Sequence, residues 1–259
     1  MEEEIKDGRI GAIFDLRGGA LDTTSGMPTD GILQKTITNL DAFAKGLIES
    51  SNNLYAHSAT TDMLSNSLDL DGKSSIVSSN YNINEGSFAV VVYDIDGNEV
   101  SKRDINIDFA TTMVGSDNSI KNQIEANIDD NGDSNANNDL DDIMQFGYTR
   151  SADGQLKLEL RLSLDAQAKG YKFSIQDNLK DGSYASGTNF AGALGLGRFF
   201  DGDNARNINL NYELRRNPTK LHAGYSTPAG DNRVALNMVQ QQFEKYDFEV
   251  GAEVYNSTI

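Results

Sequence analysis

Leu33, Ile37, Leu40, Ala44, Leu47, Ser51 and Leu54 follow one another at alternating spacings of four and three residues. That period lines one side of a helix with apolar and small groups and must be packed against another surface. A second helix-like run extends from Asn232 to Phe243. The stretch between the two runs alternates with a period of two, the signature of strands. The chain is therefore expected to be α+β: a β-rich, largely antiparallel region inserted between helical segments of an elongated protein. The division is a helical segment over 1–65, the β-rich region over 66–225 with a short helix near 116–128, and a return to helix over 226–259. The partner of the stripe lies within the chain, in neighbouring copies, or in both.

Composition narrows the functional classes. Only 38% of the 259 residues are apolar and the net charge is −17. A thin core with much polar surface follows, as in an elongated molecule; the alternative is a compact fold with long polar loops. Such a charge opposes binding to nucleic acid, which needs clustered Lys and Arg, and to anionic membrane surfaces. There is no cysteine, hence no disulfide, thiol chemistry or Cys-bound metal. No apolar run is long enough to span a membrane. Met1-Glu2-Glu3-Glu4 lacks the basic and apolar parts of a secretory signal.

Along the chain, Gly8–Arg17 is a short apolar stretch open to strand or helix. Pro28-Thr29-Asp30 offers N-cap oxygens for a helix reaching Tyr55, with Gly46 as its weak point. The polar stretch 65–80 reads as a linker or as the first crossing into a new domain. Phe88–Tyr93 is apolar on both faces and Asp96-Gly97 is a hairpin turn. Ile105, Ile107 and Phe109 alternate with acids and Asn106, giving a half-buried partner strand. Ile120, Ile124 and Ile128 mark a helix over 116–128. Further strands are expected at 145–150, at Leu156–Leu164 after an Asp153-Gly154 turn, at Tyr171–Ile175, and at Ile208–Leu214.

Candidate chemistry is sparse. Asp129, Asn131, Asp133 and Asn135 carry the alternating oxygens of a calcium loop, yet Ser134 stands at the sixth position instead of Gly and Leu140 at the twelfth instead of Glu. A dockerin-like reading places its closing acid one residue early, at Asp139. The other reading is a solvated acidic loop. Gly192-Ala193-Leu194-Gly195-Leu196-Gly197 lacks the Lys-Ser/Thr of a phosphate loop and the surrounding βαβ pattern, so it is expected to be a tight apolar turn under a sheet. His57 and His222 are the two histidines and lie far apart. No nucleophile triad or metal spacing is evident, so no catalytic, cofactor or metal residue is assigned and an enzyme is not expected.

Two blocks carry a resemblance. Asp7-Gly8-Arg9-Ile10-Gly11-Ala12-Ile13-Phe14-Asp15-Leu16-Arg17 precedes the helix that closes on Asn52-Asn53-Leu54-Tyr55-Ala56-His57. The second block runs from Phe190 through Gly192-Ala193-Leu194-Gly195-Leu196-Gly197-Arg198-Phe199-Phe200 to Ala205, followed by Gly230-Asp231-Asn232-Arg233 and a closing helix. Together they resemble the flagellar hook-associated protein 1 family. The Asn53 to His57 spacing is one residue longer than the family's, and the region from Ser87 to Asp177 is similar to β-rich modules of axial flagellar proteins.

The resemblance implies a structural subunit of the bacterial flagellum at the hook–filament junction. It implies an extracellular location after type III export, self-association in a ring through terminal helices, and a role in motility and flagellum assembly. The implied partners are the hook protein, a second junction protein and an export chaperone, with no cofactor, nucleic acid or membrane. Without the family's long terminal helices, the chain reads as a central fragment, monomeric alone. The competing readings are another axial subunit (hook protein or flagellin), a secreted calcium-dependent adhesin module, and a surface hydrolase with converging acids.

Overall fold

The computed structural model describes residues 8–150, 154–180, 182, 186–250 and 253–258. It is an α+β structure. Helix α1 spans Gly8–Arg17 and α2 spans Ile32–Tyr55. The loop between them folds back on itself through a Leu21–Pro28 bridge, and α1 packs on α2. The Asp30 carboxylate does not cap α2; it accepts the Ala20 N–H at 2.9 Å, and Gly31 stands at the N-cap.

The apolar stripe of α2 is split. Leu33 and Leu40 are about half exposed, at 52% and 54%, whereas Ala44 and Leu54 are buried. Gly46 lies under the Phe248 ring, where an added Cβ would come within 2.4 Å, so close packing offsets its poor helix propensity.

The sheets are short and antiparallel. Strands β1 (Asp62–Leu64), β2 (Gly86–Tyr93) and β3 (Glu99–Ile107) are followed by helices α3 (Ile120–Ile124) and α4 (Leu140–Ile143). Then come β4 (Met144–Arg150), β5 (Leu156–Leu162), α5 (Leu164–Ala168) and β6 (Lys172–Asp177). One sheet has the order β3-β2-β6, the other β1-β5-β4. Residues 60–65 stitch them together: Thr60 exchanges two backbone bonds with Phe173 of the first sheet, while Asp62–Leu64 pair with β5 of the second. Phe88, Ile105, Phe173, Leu158 and Leu160 fill the main core, and Phe190 stacks on Phe88 with ring centroids 4.5 Å apart.

The rest of the chain returns to α2. Helix α6 (Phe190–Leu194) crosses it, followed by β7 (Phe200–Asp201), β8 (Asn209–Leu210), α7 (Tyr212–Arg216) and α8 (Arg233–Gln240). The hairpin of β9 (Lys245–Val250) and β10 (Glu253–Thr258) closes the described chain. Among the described residues no helix is long and apolar enough to cross a membrane.

Several expectations give way to local chemistry. The strand expected over 208–214 shrinks to two residues, because Asn211 accepts the N–H groups of Glu213 and Leu214 and starts α7. The helix expected over 116–128 ends at Ile124, and Ile128 is 54% exposed. Asp108 turns the chain by accepting the Ala110 N–H, which ends β3 and leaves Phe109 exposed. Ser163 caps α5, so Leu164 leaves the strand and faces solvent. The 65–80 stretch is no linker: Ser65, Leu68, Leu70 and Ile76 are buried, and Leu68 bridges to Leu156. Helix does not continue to the end of the 226–259 segment, because the residues after Phe243 form the β9–β10 hairpin. Asp153 of the expected Asp153-Gly154 turn lies outside the described residues, as do residues 1–7.

The Gly192–Gly197 run is the seam between α6 and α2. An added Cβ at Gly197 would sit 2.5 Å from the Ala56 backbone, at a φ of 55° that side chains avoid. Gly197→Ala should therefore destabilise the fold by about 3 kcal/mol, from left-handed strain plus overpacking. Gly132→Ala, at a φ of 73° with open space around it, should cost only about 1 kcal/mol. Urea unfolding of the two variants checks the difference.

Candidate functional site

The last turns of α2 carry four buried polar residues, Ser50, Ser51, Asn52 and Asn53. Gln241 donates to Ser50 Oγ at 2.7 Å and accepts from Ser51 Oγ at 3.1 Å. Asn52 Oδ1 accepts the N–H groups of Phe199 and Phe200 at 2.8 and 2.9 Å, and its amide donates to the Phe200 carbonyl. Asn53 donates to Asp177 Oδ2 at 2.7 Å. Asp177 also accepts from the Thr188 hydroxyl and the Asn189 N–H. Residues of the two sequence blocks, Asn52-Asn53 and Phe199-Phe200, thus meet in one hydrogen-bonded joint.

Both histidines lie near the C-terminal end of α2. His57 is buried, with Nε2 lacking a hydrogen-bond partner and its ring against Tyr225 at 5.5 Å. The His222 N–H donates to the Tyr55 hydroxyl at 3.1 Å. Burial lowers the affinity of both imidazoles for a proton, and for His57 it brings the pKa down to about 4.

A second polar centre lies at the far side of the β3-β2-β6 sheet. Arg103 shares the inward face of β3 with Ser101, Ile105 and Ile107, and it is only 6% exposed. Its guanidinium gathers the carbonyls of Gln123, Ile124, Ala126 and Ile128 and the carboxylates of Asp130 and Asp141. All five N–H donors are occupied by this set, which suits the fixed fork of an arginine. These carbonyls lie at the C-terminal end of α3 and beyond it, where no helical N–H meets them, and Arg103 takes that place. The sequence pattern held the signal: Arg103 falls on the same parity as Ile105 and Ile107, where an outward charge is impossible.

The alternating oxygens expected for calcium are used within the loop. Asp129 accepts the N–H groups of Gly132 and Ser134, Asn131 accepts that of Asp133, and Asp133 accepts that of Asn135. Among the described residues no three His, Cys, Asp or Glu side chains form a group able to hold a metal ion.

Exposed apolar groups gather around the first and last elements. Ile10, Ile13, Phe14 and Leu16 on α1 and Ile32, Leu33, Leu40 and Phe43 on α2 are exposed by 42% or more. On the other side of α2, Phe43 stacks on Phe248 of β9 at 5.6 Å, and Leu236, Val239 and Phe243 of the α8 region remain exposed. A groove of about 410 Å³ between α2 and α8 is walled by Leu47, Tyr55, Phe199, Met238 and Val239. These exposed apolar groups make this flank the candidate interaction face among the described residues.

Two measurements probe these centres. Arg103→Met should cost about 3–5 kcal/mol, because Asp130 and Asp141 are left without a counter-charge; Arg103→Lys, with three donors against five, should recover only part of it. For His57 the folded pKa lies below the unfolded one, so the unfolded chain takes up the proton first and stability falls as pH drops below about 6.5. Wild type should lose about 2 kcal/mol between pH 7 and pH 5 relative to His57→Phe, read from paired urea titrations. Compared with protein-family models and with curated proteins, the chain matches none.

Proposed function

We propose that this chain is a structural subunit of the bacterial flagellum, acting extracellularly as a mechanical adaptor between hook and filament and turning over no substrate. The observation that carries the reading is the convergence on α2. Helix α1 and the β9–β10 hairpin both lie against it, and its N-terminal half keeps Leu33 and Leu40 half exposed. The half of the stripe that the chain leaves uncovered is surface that packing with a neighbour's helical segments would bury. The Asn52–Phe200 joint lends further support, because it links the two blocks that resemble the junction family. The hook protein, a second junction protein and an export chaperone are the partners of this reading.

The β-rich body contributes stiffness and charge. Its sheets are stitched by residues 60–65 and its core is continuous. The net charge of −17 opposes close lateral contact between bodies, which leaves the apolar helical face as the surface that holds register.

Deletion of the gene in the source bacterium should leave hooks that carry no filaments, with flagellin released into the medium. Complementation with Leu33→Asp/Leu40→Asp should fail to restore filaments. The same change in the purified chain should shift stability by no more than about 0.5 kcal/mol, as expected for exposed positions. Normal filaments in the deletion strain would refute the proposal, and loss of the hook itself would transfer the chain to the hook-protein reading.

A further inference from the structure

Asn131-Gly132 is the one Asn-Gly pair in the 259 residues. The backbone nitrogen that follows an asparagine can attack the side-chain carbonyl, close an imide ring and expel ammonia. The step is favoured by an unhindered nitrogen, an acceptor for its proton, a polarised carbonyl and a free leaving group. Gly132 supplies the first. Its φ is 73° and an added Cβ would meet nothing within 4 Å, so no side chain or neighbour crowds the ring. The Gly132 N–H donates to Asp129 Oδ1 at 2.6 Å, which places a carboxylate where the proton must go. Asn131 Oδ1 accepts the Asp133 N–H at 3.0 Å, which draws electrons from the carbonyl carbon. Asn131 is exposed, and its amide nitrogen donates to no partner among the described residues.

Asn118 and Asn204, which also precede small residues, each lack part of this arrangement. The Asn118 amide donates to Asp108 and Thr111, and its Oδ1 accepts from Gln123. The next residue, Ser119, is buried, and its N–H donates to the Ser116 carbonyl instead of a carboxylate. Asn204 precedes Ala205, whose N–H does reach a carboxylate, Asp41, at 3.1 Å. There the leaving nitrogen is tied to Asp203 at 2.6 Å, and the alanine Cβ flanks the attacking atom.

We propose that Asn131 is a self-modifying residue: the Gly132 nitrogen displaces its side-chain amide, Asp129 accepts the proton, and water opens the resulting ring to aspartate or isoaspartate. The balance closes within the loop and the solvent. The bond from Gly132 N to Asn131 Cγ forms as the N–H proton passes to Asp129. The Cγ–Nδ2 bond then breaks, and the leaving nitrogen takes up that proton and departs as ammonia. Water adds to one of the two ring carbonyls: at Cγ it restores the normal main chain with aspartate, and at the backbone carbonyl it leaves the chain running through the side chain. No electrons are transferred, and water is the sole co-reactant.

Each conversion is irreversible and adds one carboxylate to an exposed, already acidic loop. The iso form also lengthens the main chain by a methylene between Asp129 and the Gly132 and Ser134 amides that it holds. In a long-lived protein the converted fraction grows with age, so the loop changes charge and path while the buried Arg103 centre beside it stays as folded. The reaction is independent of any assembly role.

Peptide mapping by mass spectrometry, on the full chain kept folded at neutral pH and on the same chain unfolded in urea, is the direct test. The peptide containing residue 131 should exchange NH for O and divide into aspartyl and isoaspartyl forms, ahead of the peptides containing Asn118 and Asn204. Its rate in the folded chain should be no lower than in the unfolded one. Slower conversion in the folded chain would mean that the loop shields Asn131, and would overturn the proposal. Gly132→Ala should slow the folded reaction by about tenfold, because a Cβ beside the nitrogen crowds its approach. Asp129→Asn, which keeps an oxygen acceptor but cannot take the proton, should slow it by about tenfold or more in the folded chain and leave the unfolded rate unchanged. Equal folded rates in wild type and Asp129→Asn would refute the assignment of Asp129. If Asp129→Asn fails to fold, the comparison of folded and unfolded wild type decides alone.

Discussion

Ser50 to Asn53 are polar, consecutive and buried, an arrangement that costs stability unless every group is met. Three later parts of the chain meet them: Gln241 after α8 meets both serines, the Phe199-Phe200 backbone meets Asn52, and Asp177 at the end of β6 meets Asn53. The residues concerned lie as much as 191 positions apart, so the end of α2 cannot be satisfied until sheet, α6 and α8 are all in place. Apolar packing fills the volume around this joint, but packing alone tolerates slippage. Hydrogen bonds with fixed directions do not, and they define how the helical flank joins the β-rich body.

The body has its own organising charge. Arg103 performs for the 123–141 segment what a hydrogen-bonded ladder performs for a helix, collecting four carbonyls and two carboxylates that have no regular partners. A buried ion pair of this kind contributes modestly to net stability because desolvation offsets attraction. Its larger effect is on uniqueness: with five directed donors, it specifies one path for a loop rich in Asp, Asn and Ser that has little apolar content of its own.

The sequence and the fold agree where periodicity was strong and local chemistry was silent. The alternation at Phe88–Tyr93 and Leu156–Leu162 yields strands, and the spacing of four and three yields α2. The disagreements share a cause, a short polar side chain that captures backbone N–H groups. Asn211 turns an alternating segment into a helix, Ser163 ends a strand one residue before Leu164, and Asp108 stops β3 before Phe109. The polar residues of 65–80 concealed a buried segment, because Leu68, Leu70 and Ile76 are spaced too widely to form a periodic signal. The joint at Asn52 and Asn53 was illegible for a different reason: its partners lie 124 to 148 positions away across the fold, and in a chain with 39 acids no single carboxylate such as Asp177 stands out.

Two physical demands on a subunit of the proposed kind would be met by two different surfaces of this molecule. Register between copies requires surface that is better buried than wetted, and α1 with the first half of α2 supplies it. Freedom for neighbouring bodies to shift requires surface that gains nothing from contact, and a net charge of −17 supplies that through repulsion screened over about 10 Å in ordinary salt. Repulsion of that range acts on bodies that approach closely and fades for those already apart, so it limits lateral adhesion without opposing assembly at the helical end. The joint at Ser50–Asn53 lies where the two regimes meet. A loose connection there would let the bodies reorient independently of the helices, and register would no longer be transmitted outward. Directed hydrogen bonds join α2 to three separate segments, and in the proposed subunit that connection would carry the position set by the exposed apolar residues of α2 into the acidic body.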